Sequence, residues 1–291
     1  MRPGPVLALV AAVAAAPSAP AAELLGSHAW DPGFEGAGGF SALWLDADGE
    51  GFVALSDRGS WVRGRLGRGP DGAIAGAAVE ERGPLLRGYG GPLRGGERDA
   101  ESIAWAGGAF WIGFEGDPAR GEARVARYDD LAARPKIVAP PPGLARLGRN
   151  LGLEALAAGS DGTLWAIPEA PPAGERDLPV WRFRDGAWTR AFALARSGGW
   201  RATGADIGPD GRLYVLERRF GLLGFGTRVR SMALHGGDLR VELETPLGLH
   251  DNLEGLAVTR DREGRLRATM ISDDNLRPLL QTTEFVEYLL D

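Results

Sequence analysis

The chain has 291 residues, a formal net charge of −6 and no cysteine. Without thiols there are no disulfide staples and no cysteine nucleophile, so the hydrophobic core must supply the stability by itself. The basic residues are nearly all arginine, Lys136 being the single lysine, and they form no basic stripe of the kind that grips nucleic acid.

Residues 1–22 carry one basic residue, Arg2, then an apolar run over 6–16 and the small-residue sequence Ala19-Pro20-Ala21. That is the layout of a cleavable secretory signal. The run is shorter than the roughly 20 residues that a membrane-spanning helix needs. Export to the periplasm or the medium is therefore expected, with no membrane span in the mature chain. No Ser/Gly or Pro tract divides the remainder, so 23–291 reads as one domain.

Short runs rich in β-branched and aromatic residues follow, at 51–55, 109–114, 163–167, 212–216 and 265–271, separated by Gly and Asp turns. They predict an all-β architecture. A repeat narrows the choice. Segments anchored on Ser41, Glu101, Glu154, Asp206 and Glu254 each run into an x-Gly turn: Asp48-Gly49, Gly107-Gly108, Asp161-Gly162, Asp210-Gly211 and Glu263-Gly264. Such turns favour tight hairpins because glycine accepts positive φ. A second apolar strand then ends in a polar group, at Asp57-Arg58, Glu115, Glu169, Glu217-Arg218 and Asp273-Asp274-Asn275. A period of about 50 residues with four strands per unit predicts a β-propeller. The count is five blades, with six as the alternative if the longer first interval hides another. The last unit is one strand short, and residues 22–30 are expected to complete it, pairing the two ends of the chain and leaving no open edge.

In a propeller the first strand of each blade lines the central channel. The anchors Ser41, Glu101, Glu154, Asp206 and Glu254 should therefore converge, with Asp57, Glu115, Glu169, Glu217 and Asp273 nearby. Carboxylates crowded in a channel raise one another's pKa. Either a hard cation such as Ca²⁺, which takes six to eight oxygen ligands, or arginines should compensate them. Arg58, Arg98 and Arg218 adjoin these acids, and Arg218 is a candidate for the slot that Asp57 and Glu115 take in their own blades. Candidate catalytic groups are Glu101, Glu154, Glu254, Arg58 and Arg218. Candidate metal ligands are Asp57, Glu115, Glu169, Asp273 and Asp274, the last two belonging to a run of adjacent oxygen donors at a strand end.

Five stretches, in order, resemble the phytase-like family, also described by an "esterase-like activity of phytase". They are Ser56-Asp57-Arg58-Gly59, Asp99-Ala100-Glu101-Ser102-Ile103-Ala104, Asn150-Leu151-Gly152-Leu153-Glu154-Ala155-Leu156, Leu216-Glu217-Arg218, and Asn252-Leu253-Glu254-Gly255-Leu256-Ala257 with Ser272-Asp273-Asp274-Asn275. The resemblance covers nearly all of the mature chain. It implies an exported β-propeller and hydrolysis of phosphate esters. The acidic calcium motifs of calcium-dependent propeller phytases are not found as such, so no catalytic residue is carried over from them.

Three functions fit these features. One is a Ca²⁺-assisted hydrolase of small phosphorylated molecules, acting as a monomer. The second is a non-catalytic propeller that binds a ligand or an envelope protein, which an exposed patch among the nine tryptophans would favour. The third is a lactonase-type hydrolase sharing the acid-lined channel. The three histidines, His28, His235 and His250, offer no zinc-binding spacing, and no phosphate-binding P-loop is present.

Overall fold

The structure is a computed structural model that describes residues 22–116, 123–144, 147, 152–275 and 281–290. The expected secretory segment, 1–22, lies outside these apart from Ala22, as do Asn150 and Leu151 of the repeat.

Twenty strands form five antiparallel sheets of four. The chain begins with β1 (Glu23–Ala29). The first blade holds β2 (Phe40–Leu45), β3 (Gly51–Ser56), β4 (Ser60–Arg68) and β5 (Ile74–Pro84). The second holds β6 (Ala100–Ala106), β7 (Ala109–Phe114), β8 (Arg124–Tyr128) and β9 (Lys136–Val138). The third holds β10 (Ala155–Ala158), β11 (Leu164–Ile167), β12 (Leu178–Arg184) and β13 (Ala187–Leu194). The fourth holds β14 (Arg201–Ile207), β15 (Leu213–Gly221), β16 (Gly224–Met232) and β17 (Arg240–Glu244). The fifth holds β18 (Asn252–Arg260), β19 (Leu266–Asp273) and β20 (Glu284–Leu289), with β1 as its outer strand.

The inner strands β2, β6, β10, β14 and β18 pack side by side, and β18 returns to β2. The molecule is thus a five-bladed β-propeller, the blade count that the repeat predicts. The expected closure is present too: β1 pairs antiparallel with β20, from Glu23 opposite Leu289 to Ala29 opposite Glu284.

Alternation along the strands sends apolar side chains into the layers between blades, and the core divides accordingly into five clusters, one per interface. Where the ring closes, Trp30 packs on Phe40, Phe52 and Phe285, with ring centroids 5.0, 5.4 and 5.2 Å away. A buried aromatic of this size contributes on the order of 2–3 kcal/mol.

One irregularity recurs and positions the site. The pairing of the inner strand slips by one residue between Phe40 and Ala42, Ala100 and Ser102, Ala202 and Gly204, and Leu253 and Gly255. In the third blade Glu154 stands at the equivalent place, immediately before β10. A β-bulge leaves one residue unpaired and re-aims its side chain. Here the bulged residues are Ser41, Glu101, Thr203 and Glu254, and all of them, with Glu154, line the channel.

Candidate functional site: an acid-ringed channel mouth

Ser41, Glu101, Glu154, Thr203 and Glu254 form the deeper ring, around a void of about 10 Å³, room for at most one water. The fourth member corrects the sequence expectation. Asp206 is displaced three residues along β14, where its carboxylate accepts the N–H of Val258 at 2.8 Å and that of Ile207 at 2.8 Å. It ties the fourth blade to the fifth, and burial lifts its pKa to about 7. The two hydroxyl members, Ser41 and Thr203, donate to the next blade's backbone, at Ala100 O (2.5 Å) and Leu253 O (3.4 Å).

Register defines the outer ring equally closely. Opposite the residue two before each inner-strand anchor, the second strand places Asp57, Glu115, Glu169, Arg218 or Asp273. Arg218, opposite Arg201, fills the slot that acids fill in the other blades. Glu217 is one residue off and points elsewhere. It is buried within the fourth blade, where Arg228 Nε and Arg230 Nη2 donate to it at 2.8 and 2.6 Å. The inner-strand partners of the outer ring are Gly39, Asp99, Gly152, Arg201 and Asn252. Gly152 is required there: a Cβ would lie 2.6 Å from the Glu115 backbone, and its N–H donates to Glu115 Oε1 at 2.9 Å.

The acids are not distributed evenly. Ligand-capable oxygens of Asp99, Glu101 and Glu115 lie within 4.8 Å of one another, and so do those of Glu115, Glu154 and Glu169. Glu115 belongs to both groups. Among the described residues no arginine is within ion-pair distance of Glu101, Glu115 or Glu154. Burial is the first reason that the carboxyls of Glu101 and Glu154 sit well above the usual range. Their acidic neighbours add to it: Glu154, Glu254, Asp99 and Glu115 around Glu101, and Glu115 and Glu169 around Glu154. Glu115 is raised as well, again chiefly by burial.

On the other side of the channel the charges are paired. Arg218 Nη1 donates to Asn252 Oδ1 at 2.7 Å and to Glu254, and Nη2 reaches Glu169 Oε1 at 3.5 Å. Desolvation opposes the Arg218 charge, but Glu254, Glu154 and Glu169 outweigh it and keep the guanidinium protonated. Arg201 Nη1 holds Glu169 Oε2 at 2.9 Å. Glu254 is pushed to about 8 by burial, with Arg218 pulling down and Asp273 pushing up. Asp57 rises to about 6 through burial and then the charges of Asp273 and Asp99. Asp273, also about 6, is raised by burial while the N–H of Asn275 draws it down.

Two candidates lie apart from this cluster. Asp274 accepts the N–H of Gly39 at 3.0 Å and the hydroxyl of Thr283 at 3.3 Å, fastening the fifth blade to the first. Arg58 is exposed beside Asp57 and makes no ion pair among the described residues. Sequence reasoning missed Asp99 and Arg201 as site residues. Their signal was the fixed offset of two residues before the bulge, which becomes visible once Thr203 replaces Asp206 as the fourth anchor. The tryptophans form no surface patch: Trp105 alone is exposed, at the opposite end of the channel beside Trp44.

From the mouth a cleft of about 930 Å³ opens between the fourth and fifth blades. Its inner end is Glu169, Arg201, Arg218 and Asn252, and its outer wall includes Phe220, Phe225, Leu249 and His250. His250 is buried, with Nε2 2.6 Å from the Tyr288 hydroxyl and Nδ1 3.9 Å from Glu284. Burial lowers its pKa.

Fold and site together define a five-bladed propeller with carboxylates gathered at one end of a nearly filled channel. The sequence profile of the phytase-like family, described as "esterase-like activity of phytase", matches residues 35–276; the chain belongs to that family. No curated protein matches it. Among solved structures, the α-L-arabinofuranosidase of Podospora anserina in complex with cellotriose aligns with a TM-score of 0.52 at 10% identity, covering 92% of this chain and 97% of that one. A gluconolactonase of Xanthomonas campestris aligns with a TM-score of 0.46 at 16% identity, over 84% and 70% of the two chains. The endo-arabinase of Bacteroides thetaiotaomicron aligns at 0.47 and 12% identity, over 88% and 95%. The likeness to the arabinofuranosidase is one of fold. No helix among the described residues is long and apolar enough to cross a membrane.

Proposed function

We propose that the protein is an exported, monomeric hydrolase that cleaves phosphate esters with the help of a bound Ca²⁺. The observation that carries this reading is the pair of carboxylate triads sharing Glu115, with no arginine among the described residues within ion-pair distance of Glu101, Glu115 or Glu154. Buried acids with no ion-pair partner are costly, and an all-oxygen donor set suits a hard cation. Asp99, Glu101, Glu115, Glu154 and Glu169 would hold the ion. Bound there, it would polarise the phosphoryl group and neutralise developing charge.

The rest falls to the chain itself. Arg201 and Arg218, at the inner end of the cleft, donate to phosphoryl oxygens, with Arg58 approaching from the rim. Glu254 and Asn252 fix the Arg218 guanidinium. Asp57 and Asp273, both about 6, titrate near neutrality. One takes a proton from the attacking water as its oxygen bonds to phosphorus. The phosphorus–oxygen bond to the alcohol breaks, and the departing oxygen receives that proton.

The test is calorimetric titration of Ca²⁺ into the mature protein and into Glu115→Gln, with p-nitrophenyl phosphate turnover measured in parallel. Binding and Ca²⁺-dependent turnover are expected in the parent, with affinity at least tenfold weaker in the variant. No heat of binding and no turnover with added metal would overturn the reading.

A further inference from the structure

The fourth blade differs from the others at the mouth. In the other four, the second strand stops at or just before its outer-ring residue, as β3 does before Asp57 and β19 does at Asp273. In contrast, β15 continues past Arg218 through Arg219, Phe220 and Gly221, and returns as β16 by pairing Phe220 with Phe225 and Gly221 with Gly224. At about 3.4 Å per residue this carries the hairpin roughly 10 Å beyond the ring.

The projection is braced at its base. Trp200 is buried beneath it, with the guanidinium groups of Arg219 and Arg228 at 4.8 and 4.5 Å from its ring. Gly226 lies against Trp200 and Leu247, where a Cβ would come within 3.1 Å of Leu247. The surface it presents is apolar and uncovered: Phe220 is 75% exposed and Leu249, which lines the same cleft, 52%. Phe220 and Phe225 pack at 5.2 Å, making one aromatic face. One cleft thus has an arginine-bearing polar end and a braced apolar wall.

We infer that this cleft binds an amphiphilic ester, one anionic head at Arg201 and Arg218 with an aryl or alkyl group laid on Phe220, Phe225 and Leu249. This deepens the proposed function and rests on it. Charge argues for a single anionic head. Among the described residues carboxylates outnumber arginines around the mouth, and Arg201 and Arg218 already share Glu169, so these groups, even with a bound divalent cation, leave no excess of positive charge to hold a densely phosphorylated polyol. The apolar wall argues for the tail, because braced aromatic surface left in water gains from covering.

The test compares n-octyl phosphate with inorganic phosphate by calorimetry, in the presence of Ca²⁺, for the parent and for Phe220→Ser/Leu249→Ser. Both substituted side chains are exposed, and a thermal melt confirms folding. Octyl phosphate is expected to bind the parent at least tenfold more tightly than phosphate, and the double variant is expected to lose most of that ratio. Equal affinities in the parent, or a ratio unchanged in the variant, would overturn the inference. So would capture of the parent but not the variant by phosphatidylcholine vesicles with no preference between the two phosphates, since the hairpin would then serve a lipid surface. An octyl preference that persists without Ca²⁺, in protein that binds no Ca²⁺, would leave the cleft standing and remove the metal-assisted reading alone.

Discussion

Asp206 shows how one carboxyl acts when it lacks a cation. It accepts two backbone N–H groups, from Ile207 and Val258, yet burial still raises its pKa from 3.8 to about 7. A group with a raised folded pKa binds more protons folded than unfolded, so its contribution to stability is greatest below pH 3.8 and declines as pH rises to about 7. Asp206→Asn removes this titration while keeping an acceptor oxygen. In denaturant melts from pH 4 to 8, the variant should gain on the parent steadily as pH increases; parallel curves would mean that Asp206 stays ionised throughout. The same residue explains a misreading of the sequence. Thr203 is the true fourth anchor, but it carries no charge, and the next acid down the strand took its place in the alignment. The apolar frame held the better clue, since Ala202-Thr203-Gly204-Ala205 matches Leu253-Glu254-Gly255-Leu256 position for position.

At the scale of the element, the bulge does the positioning. It turns one side chain per inner strand into the channel and brings neighbouring backbones close. At Gly255 a Cβ would meet Leu43 N at 2.7 Å and Ile271 at 2.6 Å. Gly255→Ala should therefore cost about 1–3 kcal/mol by overpacking the join between the fifth and first blades, measured by urea denaturation; a cost near zero would mean that the blades separate easily there. Strand order, turns and blade count were legible because hairpins are local and glycine marks their turns. The outer ring was legible in composition but not in full, because whether Glu217 or Arg218 faces the channel depends on a one-residue register that alternation alone leaves open. The apolar hairpin beyond Arg218 was not legible, because only the fold shows that Phe220, Leu222 and Leu223 are left outside the core.

For the whole molecule, closure is the decisive feature. Removing residues 22–29 would strip the partner from the full length of β20 and present an open edge. Such a truncated chain should melt at lower temperature and associate with increasing concentration, as read by size-exclusion chromatography; a monomer with the parent's melting temperature would show that β1 adds little.

The same pairing orders events in time. The Ser27 hydroxyl meets Glu284 across 257 residues of chain, so the first strand of the propeller waits for the last. The four complete blades can zip from local hairpins in any order, but the fifth must close the longest loop in the protein, a slow step for non-local β-pairing. Until it does, β20 is an unfinished template, and the interval between the two is when a growing chain most needs protection from its neighbours.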